Sequence, residues 1–120
     1  MSKTELQRLS TLALRQRKAH LLKSLSLPPD VLHASFLERF LKCGRTNCHC
    51  HQGQKHGPFF YLSRCQSKRQ MRTLLLKEPD QVLQGRRGVQ AYHQLLENLD
   101  QISWINWELL RRNESIQPPS

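Results

Sequence analysis

The chain has 120 residues, with 19 Lys and Arg against 9 Asp and Glu and a formal net charge of +10. That length suits one domain of ordinary size, and a 38% hydrophobic content is thin for a deep core, so a staple or a second subunit would help it fold. No run of about 18 apolar residues is present and MSKTELQRLS has no apolar stretch behind its charges, so the expectation is a cytoplasmic protein with neither membrane span nor secretory signal; the charge balance points to a phosphate-rich polymer as partner.

Residues 2–25 read as a helix. Ser2 with Glu5, and Thr4 with Gln7, each have capping-box spacing, in which a hydroxyl and a longer polar side chain satisfy free N–H groups at a helix start. Leu6, Leu9, Ala13, Leu14, Leu21, Leu22 and Leu25 form a drifting apolar stripe among basic residues. Pro28 and Pro29 stop the helix and form a short stiff linker. SFLERFLKC, residues 35–43, reads as a strand, and FFYLSRC (59–65) and QMRTLLLK (70–77) as a hairpin turning at QSKR. Pro79 stands where a helix can begin without losing a hydrogen bond, and helix is expected over 80–112. Gly85 and Gly88 are expected to kink or divide it. Beyond them Tyr92, Leu95, Leu99, Ile102, Asn106 and Leu109 follow a 3–4 spacing that suits a packing face or a coiled-coil seam for a homodimer or a larger protein partner, in which Asn106 would fix register. Trp104 and Trp107 would be a partner-binding patch if exposed and packing residues if buried. The expected fold is α+β: an N-terminal helix, a small antiparallel three-strand sheet with a Cys/His loop, and a long C-terminal helix. The expected organisation is a basic helix and Pro linker over 1–29, the Cys/His-loop hairpin with its C-terminal helix over 30–112, and a disordered tail over 113–120.

Between the first two strands lies KCGRTNCHCHQGQKHGPFF, residues 42–60, with three of the four cysteines and three of the six histidines. The spacing is Cys43-x4-Cys48-x-Cys50, with His56 further on. In a reducing compartment such clustering points to metal rather than to a disulfide. Zinc takes four tetrahedral thiolate and imidazole ligands, and a turn-rich loop with Gly44, Gly53 and Gly57 can gather Cys43, Cys48 and Cys50. His56, Cys65, His49 and His51 are the candidates for the fourth position. A closed site of this kind is structural and contributes folding free energy to a chain short of core.

The stretch SFLERFLKCGRTNCHCHQGQKHGPFFYLS resembles a family of small bacterial and archaeal proteins defined by a domain of unknown function, DUF6788, with a CGxxxCxC…HGPxxYLS pattern. The matching residues are Cys43, Gly44, Asn47, Cys48, Cys50, His56, Gly57, Pro58, Tyr61, Leu62 and Ser63. The resemblance covers roughly 34–112 and leaves the N-terminal helix outside. It implies Cys43, Cys48, Cys50 and His56 as the ligand set, with Cys65 not part of it, and a basic strand followed by a leucine-rich helix. Family members usually carry a GGKTR turn, where this chain has QSKRQMR and keeps the charge without the glycines. An association of the family with mobile elements would suit an accessory role on DNA.

Cations gather on the hairpin at Arg64, Lys68, Arg69, Arg72 and Lys77, with Arg45 and Lys55 in the loop. A ribbon projecting such side chains can follow a phosphate backbone or enter a groove, and DNA is preferred to RNA as its ligand. Phe59, Phe60 and Tyr61 could stack on unpaired bases, although packing in the core is the commoner fate of such residues. The chain shows no nucleophile-and-base pair, no paired acids and no phosphate-binding glycine loop, which points away from an enzyme. The function expected is thus a small zinc-stapled basic nucleic-acid-binding accessory protein. The alternative is an assembly module pairing through its C-terminal helix, with the charge incidental.

Overall fold

The computed structural model describes residues 3–42, 53 and 55–117. Its elements, in chain order, are α1 (Lys3–Arg8), α2 (Thr11–Ser24), β1 (Ser35–Leu41), β2 (His56–Ser67), β3 (Gln70–Leu76) and α3 (Pro79–Arg111). The α+β arrangement is as expected: helices at the N-terminus, a three-stranded antiparallel sheet in the order β1-β2-β3, and one long C-terminal helix. The N-terminal helix is not continuous. It breaks at Leu9–Ser10, and the Ser10 hydroxyl accepts from the Ala13 amide at 3.1 Å, capping α2. A hydroxyl able to satisfy a free N–H starts a new helix as readily as it tolerates an old one.

Two compact units emerge, Met1–Pro28 with His93–Ser120, and Pro29–Tyr92. Helix α3 gives residues 79–92 to one and 93–111 to the other.

In the unit built from the chain's two ends, Leu6, Leu14, Ile105 and Leu109 form the buried core, with Leu9, Leu21, Trp104 and Ile116 packed on it. Beside it lies the one buried charged residue among the described residues, Glu108. Arg111 donates to both Glu108 carboxylate oxygens, Nε at 2.9 Å and Nη2 at 2.7 Å, and Arg112 Nε donates at 2.8 Å. Arg112 then extends its other nitrogens to the carbonyls of Leu6 and Gln7 and to the Thr11 hydroxyl. One carboxylate therefore aims a guanidinium at the acceptor-rich end of α1. Helix α3 closes with Asn113 at φ 62°, the Glu114 amide donating to the Leu109 carbonyl at 2.8 Å and the Asn113 amide to that of Leu110 at 2.9 Å. This is a Schellman close, for which Asn is a tolerated left-handed residue. Beyond it, Arg15 pairs with Glu114 at 3.2 Å, and Lys18 donates to the Ile116 carbonyl.

In the sheet unit, Leu62, Leu76 and Val89 are the core, with Leu32, Ala34, Phe36, Phe60 and Val82 against it. The glycines of QGRRG do not divide α3. They admit neighbours instead: a Cβ on Gly88 would lie 2.6 Å from the Asp30 carbonyl and 2.9 Å from Leu32 Cβ, and the Leu32 amide donates to the Gly88 carbonyl at 3.0 Å. Close approach of another backbone requires glycine there. His33 stacks on Tyr92 with ring centroids 4.4 Å apart. At the start of α3, Gln81 Oε1 accepts from the Glu78 amide at 3.4 Å ahead of Pro79, which is the reaching-back half of a capping box. No described helix is long and apolar enough to cross a membrane.

The Arg111 and Arg112 hydrogen bonds outweigh the desolvation of Glu108 and hold its carboxyl at about 2, against an ordinary 4.5. A depressed carboxylate stabilises the fold above its unfolded value and loses that contribution as pH falls from about 4.5 through about 2. Glu108→Gln is therefore expected to cost about 2–3 kcal/mol in urea unfolding at neutral pH. The difference from wild type should shrink as pH falls from about 4.5 through about 2, because below that value both chains carry a neutral group; a deficit unchanged across that range would contradict the assignment.

Candidate functional site

Strand β2 is the middle of the sheet, and its register places the candidates that lie on the three strands. Phe36, Glu38, Phe60, Leu62 and Leu74 alternate onto one face by the pairs Phe36↔Leu62, Glu38↔Phe60 and Leu62↔Leu74. Packing of Leu62, Phe36 and Phe60 with Val82 and Val89 makes this the face that meets α3. Arg86 of α3 lies over the Phe36 ring at 4.9 Å and over Phe60 at 5.9 Å, so it serves packing. Phe59 and Tyr61 point to the other face, half-buried, where Arg39 sits 5.9 Å from the Tyr61 ring centre. The three aromatics therefore do not act as one set: Phe60 is core, while Phe59 and Tyr61 line the opposite surface. Arg39 on that surface had no signal in the sequence, because its place over Tyr61 depends on strand register.

The hairpin cations divide by position. Arg64 and Arg72 are register partners, two rungs beyond the Leu62↔Leu74 pair, and Lys68 and Arg69 form the turn at the tip. All four are exposed. Residues 56–77 contain no Asp or Glu, and among the described residues no ion pair reaches these four; the described pairs involve Arg15, Arg111 and Arg112. Like charges directly opposite on a ladder repel, so this end of the ribbon concentrates positive charge that no described acid offsets. Lys55 and Lys77 are exposed at the far end of the sheet, with Lys77 five residues from Arg72, roughly 17 Å along a strand. They do not join the tip cluster, and Arg45 lies outside the described residues.

Leu41 and His56 are register partners, so the chain leaves the sheet and returns to it at one rung. His56 is half-buried at that rung. Gly57 follows with φ 145°, and a Cβ there would lie 2.9 Å from the Arg39 carbonyl and 2.9 Å from Phe40 Cδ1. The peptide to Pro58 is cis. Cys43, Cys48 and Cys50, with His49 and His51, lie outside the described residues. Among the described residues no three His, Cys, Asp or Glu side chains converge; a four-ligand site would draw its cysteines from the loop. Cys65 is exposed near the hairpin tip, its thiol donating to the Ser67 carbonyl at 2.8 Å. It stands nine residues along the same strand from His56, a separation of roughly 30 Å. The two cannot share one ion, whose bonds to sulfur and nitrogen are about 2.0–2.3 Å.

Near the loop base an apolar groove of about 610 Å³ lies between Phe59, Leu75 and Val82. Its described lining holds one charged side chain, Lys77, and no acid, histidine or nucleophile.

A domain of unknown function (DUF6788) matches residues 5–84, two thirds of the chain. The chain belongs to the DUF6788 family. The matched stretch takes in α1 and α2, which the motif resemblance had left outside, and ends early in α3. No curated protein and no solved structure matches the chain. The HGP residues of this DUF6788 member thus form the return rung of its central loop.

Gly57→Ala puts a methyl group against backbone and a ring at a φ that L-residues avoid. A loss of about 1–3 kcal/mol in urea unfolding is expected, whereas a substitution without cost would mean that β1 and β2 do not pair as described.

Proposed function

We propose that this DUF6788 protein is a small nucleic-acid-binding accessory module, its β2–β3 ribbon the contact surface and a zinc-stapled loop its brace. One observation carries the reading: Arg64 and Arg72 stand opposite each other below a Lys68–Arg69 tip, with no acid within 56–77. Self-repulsion of that kind is relieved when phosphates fill the space between the cations. A two-stranded ribbon fits the major groove of B-form DNA, about 12 Å wide, whereas the A-form major groove of duplex RNA is too deep and narrow to admit it, which favours DNA.

The loop supports the reading by its chemistry. Cys43, Cys48, Cys50 and His56 offer three thiolates and an imidazole, the donor set of a closed structural zinc site. His56 stands at the rung where the loop begins and ends, which suits a ligand that ties a loop shut. Zinc held there would serve as a cross-link; the chemistry at nucleic acid belongs to the cations. The mobile-element association that the motif resemblance implies would suit an accessory role on DNA.

Two experiments test this. A mobility-shift titration with a mixed-sequence duplex should give a log affinity falling with log salt at a slope of about −4, one unit for each cation of the tip. Arg69→Ala with Arg72→Ala should weaken binding and flatten the slope by about 2; unchanged affinity would remove the ribbon from the interface. Elemental analysis of purified wild type should return one zinc per chain, and Cys48→Ser should lose it together with thermal stability. Fully folded wild-type protein without stoichiometric metal would sink the zinc brace while leaving the DNA titration to be judged separately.

A further inference from the structure

The second half of α3 carries two apolar faces where one is needed. Ile105 and Leu109 are buried in the core built with Leu6 and Leu14, and Ile102 is buried as well. Leu96, Leu99, Trp107 and Leu110 are not: they remain 43%, 46%, 65% and 58% exposed. At 100° per residue, these four and the exposed Ser103 between them fall within roughly 80° of the helix circumference, a continuous stripe four turns long. The expected seam of Tyr92, Leu95, Leu99, Ile102, Asn106 and Leu109 is therefore divided in the fold. Leu109 is spent on the core, Ile102 is buried, Tyr92 stacks on His33, Leu95 and Asn106 are half-buried, and of the six only Leu99 is exposed.

We infer that the protein forms an antiparallel twofold dimer through this exposed stripe, centred on Ser103. The inference goes beyond the nucleic-acid reading and does not depend on it. The stripe is complementary to itself when reversed. An axis at Ser103 sets Leu96 opposite the second copy's Leu110 and Leu99 opposite its Trp107, and the smallest side chain sits at the crossing, where two helices must come closest. Charge agrees with that direction. Residues 93–110 hold no Lys or Arg in a chain of net charge +10, so two copies meet here without the repulsion that the rest of the surface would impose. Glu97 and Asp100 border the same edge of the stripe as Arg111, at opposite ends. Antiparallel pairing brings Glu97 of each copy alongside Arg111 of the other, whereas parallel pairing would set like beside like in height and leave both acids facing apolar residues. Arg111 is half-exposed despite its bonds to Glu108 and has a nitrogen to spare. An acidic border also disfavours nucleic acid as the occupant.

A stripe of five positions is small beside interfaces of about 800 Å² per partner, so a reversible dimer is expected. Sedimentation equilibrium of the full chain from about 1 µM to about 1 mM should show the mass rise from 14.1 kDa toward twice that. Leu99→Glu should hold the chain as a monomer with an unchanged circular dichroism spectrum. Orientation is read by cysteine placement: Ser103→Cys should give a 103–103 peptide with a short bis-maleimide, mapped by mass spectrometry apart from the native cysteines. Leu96→Cys should give no 96–96 peptide, since reversed helices separate those positions by roughly 21 Å. A constant monomer mass, a dimer that survives Leu99→Glu, or cross-linking at both 96 and 103 would each overturn the proposal.

Discussion

The register of β2 is the constraint on which the sheet unit depends. That strand pairs with β1 on one side and β3 on the other, and alternation then assigns each residue to the α3 side or the opposite side. A slip of one residue would turn Phe60 and Leu62 away from Val82 and Val89 and push Tyr61 into their place. The same register sets Arg64 against Arg72, closes the central loop at Leu41 and His56, and leaves Cys65 at the remote end of the strand. Core and candidate site are consequences of one alignment, held by the fit of Leu62 and Leu76 beneath Val89.

Charge is handled in two ways along the chain. Where Arg111 and Arg112 meet the core, Glu108 pairs with both and Arg112 is turned into a clamp on α1. Their bonds to the carboxylate more than offset its desolvation, which is why it stays ionised in a place that would otherwise favour the neutral acid. On the ribbon the reverse holds: the cations face one another with no described acid in reach. The first arrangement spends charge on the fold. The second leaves it exposed on the ribbon.

Much of the organisation is legible because local chemistry is strong in this sequence. Pro79 with Gln81 marks the start of α3, and the β-prone runs around residues 35–41, 59–65 and 70–76 are strands because branched, aromatic and leucine side chains alternate between turn residues. Other features mislead. Gly85 and Gly88 suggest a break in α3, yet the helix runs through them because their missing side chains admit Leu76, Asp30 and Leu32. Ser10 lies within an apolar periodicity that continues past it, and the periodicity hides a cap. The spacing of the last helix fits one stripe or two, and only packing shows that Ile105 belongs inside while Trp107 stays out. Asn106, expected to fix a seam's register, has its side-chain Oδ1 buried without a partner among the described residues.

The sequence by itself determined the fold class, the basic character, the turn-rich Cys/His loop between two strands and the clustering of cations on a hairpin, since each follows from composition or from contacts a few residues apart. Tertiary structure decided which groups stand together: Glu108 with Arg112 and the end of α1, Arg39 with Tyr61, and Arg64 with Arg72, and it decided that His56 and Cys65 stand apart. Those relations join residues up to about a hundred positions apart, as between Arg112 and Leu6. Spacing along a chain carries no information about such pairs until strand register and core packing have fixed where each segment lies.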